Sequence, residues 1–319
     1  MATTCGSSSI FSRIAYDATT PGAFANFTSG DTAYPLSDGG CSLGLKQQHV
    51  NNSGMSGATA QASEQTRVGL KIVDGDINLL ATPALLTLFL PHVTARAMAS
   101  NVTYPSPDVP SYFSILLHRD SSIYTYKDLV VNKLSIGSEA GGPVKMTLGC
   151  MGLDREDTPE TTWPSGLNVS NATPYMHQDC VVTIGGTAYK FKSWQLEIDN
   201  KLAPQYFDSV IPCGFMRGDL VTTTLKLVGP HTQTTVTSIM QAATPPAALN
   251  TIVTLTHPTA GMSCIIRCQA LQIPIQDPPV GKGTIMLDLT GTARTLIGGA
   301  SSTNGIGAEV IFTNDSVPT

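Results

Sequence analysis

Charge is what this sequence has least of. Asp, Glu, Lys and Arg make up 13% of its 319 residues, about half the usual share of roughly 25%. A free-standing monomer normally shows more charge than that, so the scarcity points to a surface buried against partners. The alternative is a surface kept soluble by Thr, Ser and Asn. The net charge of −5 leaves no basic footprint, which argues against tight nucleic-acid binding. Aromatics are only 6% of the chain. Without basic clusters between them they form no stacking platform for single strands.

Long apolar runs are missing as well. The longest, Ala84 to Leu90, is too short to cross a bilayer. "MATTCGSSSIFSRIAYD" has neither a basic n-region nor an apolar h-region, so no signal peptide and no membrane contact are expected. The seven cysteines are odd in number and include no CxxC pair. Most lie in apolar stretches, where a thiol behaves as a small hydrophobe. They are expected to be reduced, in a chain made in a reducing cytoplasm.

Catalytic motifs are also lacking. "VGKGT" at 280–284 is no P-loop, because Gln276 stands where the first Gly belongs and Gly283 follows the Lys. "SGMSGA" at 53–58 ends in Ala58 where a nucleophile elbow needs Gly. Cys264 and Cys268, with His257 nearby, read as core thiols before metal ligands. In "MHQDC", His177, Asp179 and Cys180 read as a loop and a core thiol before a nucleophile and its base. Asp74 and Asp76 in "VDGD" read as a turn before a calcium site. No catalytic, cofactor-binding or metal residue is assigned, and no enzyme activity is expected.

What is present is β-periodicity. In "WQLEIDN", Trp194, Leu196 and Ile198 alternate with Gln195, Glu197 and Asp199, the mark of a strand with one dry and one wet face. "VKMTLGCMG" sets Val144, Met146, Leu148 and Cys150 against Lys145 and Thr147. "GDLVTTTLKLVG" sets Val221, Thr223, Leu225 and Leu227 against Thr222, Thr224 and Lys226. "YTYKDLVVNKLSIG" supplies a fourth strand, with Lys133 and Ser135 on its polar side. Gly185–Gly186 suits a tight primed turn. The phase shift between Tyr189/Phe191 and Trp194 implies a bend near Lys192–Ser193. The two hairpins of like pattern suggest an internal duplication within one core, so residues 1–319 are taken as a single domain.

Two short helices are expected. The first covers Ala84–Leu90, capped by Thr82, opened by Pro83 and ended near Pro91. The second covers Val236–Ala243. Residues 37–66, rich in Gly, Ser, Asn and Gln, read as a long mobile loop.

The order of these segments resembles the major tail tube proteins of long-tailed (siphovirus-like) bacteriophages. The pieces that carry it are "VDGDINLLATPALLTLFLPHV", "SYFSILLHRDSSIYTYKDLVVNKLSIGSEAGGPVKMTLGCMG", "VTIGGTAYKFKSWQLEIDNKL", "IPCGFMRGDLVTTTLKLVG" and "CIIRCQALQIPI", together spanning about residues 68–315. The resemblance implies an all-β fold with one or two short helices. It implies a β-sandwich whose two long hairpins enter an inner β-barrel shared around a homo-hexameric ring. Stacked rings would form a virion tail tube, made in the host cytoplasm and conducting double-stranded DNA without specific binding. The implied partners are further copies of the chain and the tape measure, tail terminator and distal tail proteins. No cofactor is implied.

Open hairpin edges are liabilities that ring closure would remove. Four strands from each of six copies, at about 4.8 Å per strand, give a barrel roughly 37 Å across before tilt. On this reading the lumen is lined by Lys133, Ser135, Lys145, Thr147, Gln195, Glu197, Asp199, Thr222, Thr224 and Lys226. Lys133, Lys145 and Lys226 complicate an acidic wall: either they pair with Glu197 and Asp199 on neighbouring strands, or some of these strands turn the other face to the channel. The 37–66 loop, with Asn51, Asn52, Met55 and Gln61, is expected to contact an adjacent ring. The alternatives are another virion sandwich (decoration, capsid or fibre) and a carbohydrate-binding module, for which Trp163 and Tyr175 are the candidate aromatics.

Overall fold

A computed structural model describes residues 13–17, 27–28, 31–51, 66–119, 122–156, 162–170, 172–230, 249–259, 261–274, 286–295 and 310–315. Among them the chain forms nineteen strands and one α-helix. The first half holds β1 (Arg13–Asp17), β2 (Thr32–Pro35), β3 (Gly44–Asn51), β4 (Thr66–Leu80), α1 (Pro83–Thr94), β5 (Val102–Thr103), β6 (Phe113–Arg119), β7 (Ser122–Glu139) and β8 (Lys145–Arg155). Then come β9 (Asn168–Val169), β10 (Cys180–Ile184), β11 (Thr187–Tyr189), β12 (Ser193–Asp199), β13 (Leu202–Gln205), β14 (Gly214–Arg217) and β15 (Thr222–Pro230). The last four are β16 (Leu249–Thr256), β17 (Ser263–Gln272), β18 (Met286–Arg294) and β19 (Val310–Asp315). Over the described residues the fold is all-β with one α-helix. Seventeen strands share one hydrogen-bonded network, and β13 and β14 form a separate hairpin.

The alternating sequences form the strands they suggest. Leu134, Ile136, Met146, Leu148, Leu196, Ile198, Leu225 and Leu227 are all buried, while their polar neighbours face out. Gly185 and Gly186 take φ of 59° and 87°, so the β10–β11 turn is of the primed kind. The chain leaves strand geometry at 190–192, where the Lys192 N–H donates to the Val228 carbonyl at 2.7 Å. That bend puts Tyr189 and Phe191 on the same core as Trp194. The main core joins Leu148, Leu196 and Leu225 from one side of the network to Ile14, Val253, Ile266 and Phe312 from the other.

Three expectations need correction. First, α1 does not stop at Pro91 but runs to Thr94, with Ala95 closing it at φ 56°. The Thr82 cap and the leading Pro83 are as expected, with Thr82 Oγ1 accepting the Leu85 N–H at 3.2 Å. Pro91 forfeits a single hydrogen bond near the helix end, and burial of Leu90, His92 and Val93 outweighs it. Second, much of 37–66 is ordered against its own chain. Residues 37–42 run along β4, where Ser42 N–H donates to Asp76 O at 2.8 Å and Asn78 N–H to Gly40 O at 3.0 Å. β3 then pairs with β4 from Gly44↔Asp74 to Asn51↔Thr66. Asn52, Met55 and Gln61 lie outside the described residues, as does the expected helix at Val236–Ala243. Third, Asp74–Gly75–Asp76 is no turn but lies within β4.

α1 is tied down by His92. Its Nδ1–H donates to the Ser111 carbonyl at 2.9 Å, and the Tyr16 hydroxyl donates to Nε2 at 2.6 Å. Burial pushes the His92 pKa down, against the opposing pull of the Ser111 carbonyl. The unfolded chain takes up this proton near 6.5, the folded chain only at lower pH. Its contribution is therefore complete above about pH 6.5 and is lost as pH falls through the folded pKa. Chemical denaturation from pH 7 to 5 should show stability falling by up to about 1.4 kcal/mol per pH unit from this group. H92Q should be less stable at pH 7 and show a flatter slope. An unchanged slope in H92Q would assign the acid sensitivity elsewhere.

Candidate functional site

The polar face expected from alternation exists as one sheet in the order β8–β7–β12–β15, all antiparallel. Its register sets the ten named side chains in three transverse rows. Lys145, Gln195 and Lys226 share the first row with Gly137. Thr147, Ser135, Glu197 and Thr224 form the second. Lys133, Asp199 and Thr222 form the third, with Gly149. Gly137 is required where it sits, because a Cβ there would collide with the Trp194 carbonyl oxygen. Lys133, Lys145, Gln195, Glu197, Thr222 and Lys226 are exposed, and Ser135, Thr147, Asp199 and Thr224 are half-exposed.

The hairpin edges are not open. β8 pairs with β4 from Val73↔Gly152 to Leu80↔Lys145, and β15 pairs with β18 from Thr224↔Thr292 to Pro230↔Met286. The face thus gains Asp76 and Asn78 on one flank and Asp288, Thr290 and Thr292 on the other. "MLDLTGTAR" shows its alternation plainly, but nothing local to it names β15 as its neighbour. Among the described residues no strand pairs with the outer side of 286–291.

The lysines pair only partly as expected. Lys133 reaches Asp199 at 3.6 Å, but Lys226 pairs at 3.0 Å with Asp288 on β18. Lys201, just past β12, reaches Asp199 at 2.7 Å. Partial burial pushes the Asp199 carboxyl up. The hydrogen bonds from the Lys201 ammonium and backbone N–H, with the charge of Lys133, outweigh this and hold its pKa below the usual range. Gln195 Nε2 donates to Ser135 Oγ at 2.9 Å and Thr147 Oγ1 to Asn78 Oδ1 at 2.7 Å. Counting Lys133, Lys145, Lys201 and Lys226 against Asp76, Glu139, Glu197, Asp199 and Asp288, the face carries one net negative charge. Most of its charges face an opposite charge or water, and none forms a cationic cluster.

Each end of this sheet has its own character. At the β7–β8 turn an open concavity of about 780 Å³ is lined by Gly137, Glu139, Gly142, Lys145 and Val228 among others. At the opposite end the β13–β14 lobe folds over the same face, packing Leu202 and Phe215 on Val130 and Met151. Asn200 anchors it. Its side-chain amide donates to Val93 O at 2.9 Å and Val131 O at 3.0 Å. Beyond Val73, β4 is backed chiefly by β3, so the two form a projecting ribbon. Lys71 of the ribbon donates its N–H to Val210 O of the lobe at 2.7 Å.

The other candidates read differently. His177 has both ring nitrogens engaged, by Ser138 Oγ at 2.9 Å and the Phe191 carbonyl at 3.0 Å. Burial pushes the Cys180 thiol up to about 12, which disfavours a thiolate nucleophile. Cys264 and Cys268 are buried in the core, and no disulfide joins the described cysteines. No group of three or more His, Cys, Asp or Glu that could hold a metal occurs among the described residues. Tyr175 is fully buried, and Trp163 stacks under the Arg13 guanidinium at 4.2 Å, so the pair offers no sugar platform.

A family model described as phage tail tube protein matches residues 12–293. A search of curated proteins returned no match.

Proposed function

Because the chain belongs to the phage tail tube protein family, and so is a structural component of the virion tail, we propose that six copies close into rings, that the rings stack, and that the polar face of β8–β7–β12–β15 lines the channel through which DNA leaves. The observation that carries this reading is the face itself. Ten polar side chains stand in three rows over a dry core, yet no constellation for chemistry is built on them. A conduit has to avoid gripping its cargo, and a nearly neutral, weakly acidic wall offers phosphate no binding site.

Ring closure draws on the outer side of β18 at 286–291, with which no described strand pairs and which presents backbone donors and acceptors to a neighbour. Four wall strands per copy give a barrel of roughly 37 Å, whereas six, with β4 and β18 included, give roughly 55 Å at the same 4.8 Å spacing. The 37–66 segment contacts the adjacent ring through the β3–β4 ribbon and the residues beyond it, including Asn51, Asn52, Met55 and Gln61. An isolated two-stranded ribbon is marginal in water, and a neighbour would steady it.

Electron microscopy of the purified protein at rising concentration tests the reading. Hollow rods with a channel near one of these widths are expected, and sedimentation should show species far larger than 33.5 kDa. Deleting 52–62, which spares the Asn51–Thr66 pair, should leave the subunit's denaturation midpoint unchanged and abolish long rods. A protein that stays a compact monomer at every concentration would remove the proposal.

A further inference from the structure

The charges on the polar face are sorted by row. One step beyond the row of Lys145, Gln195 and Lys226, towards the β7–β8 turn, lie Glu139, Ser193, Val228 and Asp288. This outer row carries two carboxylates and no cation. The next carries Lys145 and Lys226 and no carboxylate, and the one after it carries Glu197 alone. The fourth mixes Lys133 with Asp76 and Asp199. Rows lie two residues apart along a strand, about 7 Å, which is less than the Debye length of about 8 Å at physiological salt. Each row therefore acts on its neighbours before dissolved ions screen it. The Lys226–Asp288 bridge at 3.0 Å joins the basic row to the outer acidic one. Lys145 has no ion pair among the described residues.

The basic row also has a gap. Gly137 stands between Lys145 and Gln195 with no side chain. The open concavity of about 780 Å³ lies over it, lined by Lys145, Gln195 and Lys226 and by the carboxylate-bearing Glu139. Lys145 and Lys226 are three strand spacings apart, roughly 14 Å, on either side of that floor. Two spaced ammonium groups over a floor without bulk suit an extended anion with separated charges, the pattern of a phosphodiester backbone. Carboxylates in the rows on both sides oppose such an anion.

We propose that the row of Lys145 and Lys226 is a phosphate contact held in check by the acidic rows on either side, so that a passing phosphodiester backbone touches the wall at this level and is not retained. This rests on the tube reading above and adds to it the level at which cargo meets the wall. The lack of grip then comes from the order of the rows as much as from the nearly balanced total.

The test removes the check. In E139Q/E197Q/D288N all three altered carboxylates are exposed, so the denaturation midpoint of the subunit should stay native. Tubes of this variant should bind a fluorescent duplex more than tenfold tighter than native tubes at about 50 mM salt, with a steep loss by about 200 mM. Adding K145Q/K226Q should return binding to the native level. Adding K190Q/K192Q, an equal loss of charge at exposed lysines outside the rows, should not. Inorganic phosphate titrated into unassembled subunits reads the site without a tube. It should shift the backbone amide signals of Gly137 and Gln195 in the carboxylate variant at a tenfold lower concentration than in native protein. An unchanged phosphate titration overturns the proposal, and so does a duplex gain that K190Q/K192Q abolishes as fully as K145Q/K226Q. If tubes of the variant bind no more duplex than native tubes, the row does not face cargo and the proposal falls while the tube reading stands. Phosphate shifts in a protein that forms no tubes at any concentration would keep the contact and remove the tube reading.

Discussion

Tubes built from E197K are expected to retain duplex DNA that native tubes release. Glu197 is exposed in the middle row of the wall, between Ser135 and Thr224, and forms no ion pair there. Its reversal should therefore leave folding untouched while adding one lysine per chain, or six per proposed ring. About six new phosphate contacts would make affinity fall roughly a thousandfold between 50 and 200 mM salt. Binding of a fluorescent duplex to assembled tubes, followed across that range, reads this directly. E197Q, which removes the acid without adding a cation, should bind little. E197K tubes that bind no more DNA than native tubes would take Glu197 off the channel wall. Asp199 is the poorer choice for reversal. It also accepts the Lys201 N–H at 3.0 Å, just where Lys201 takes φ 53°, so changing it would disturb the turn into the lobe.

The second large effect is expected at Asn200, 1% exposed. Its amide supplies hydrogen to two buried carbonyls, Val93 at the end of α1 and Val131 on β7, and its backbone N–H donates to Asn132 O at 2.8 Å. Replacement by Leu keeps the bulk but leaves both carbonyls without that donor, at about 1–3 kcal/mol each. N200L should lose roughly 3–5 kcal/mol by denaturant unfolding, a value that marks a broken buried network. Because Asn200 leads directly into β13, proteolysis should cut the lobe faster in this variant. A loss below about 1 kcal/mol would mean that other groups hold this junction.

The parts of this molecule that were readable in the sequence are those fixed by neighbours a few residues away. Alternation in 193–199 and 222–230 assigns faces because a one-residue slip would expose Leu196 and Leu225. Thr82–Pro83 announces a helix start by local geometry alone. What could not be read depends on distant segments. "GLKQQHVN" has no alternation, and it is a strand because β4 lies beside it. Pro91 obeys its local rule in costing a hydrogen bond, but the core below the helix decides the outcome. The pairing of Lys226 with Asp288 follows from β15 lying next to β18, a long-range choice with no short-range signature. The polar face could thus be named residue by residue from its strands, whereas its two flanks and its differing ends could not.

The closing contact of the core has a consequence in time. Asn314 on β19 donates to Thr87 Oγ1 of α1 at 2.8 Å across 227 residues of chain, and to the Pro83 carbonyl at 3.2 Å. At a synthesis rate of about 5–20 residues per second, α1 leaves the ribosome roughly 11–45 s before the strand that covers it. During that interval the helix lacks its β19 cover, and its apolar face must be shielded by β7 or by a chaperone. A sheet stitched over such separations also folds slowly, so a cell making many copies at once carries a standing population of half-closed subunits.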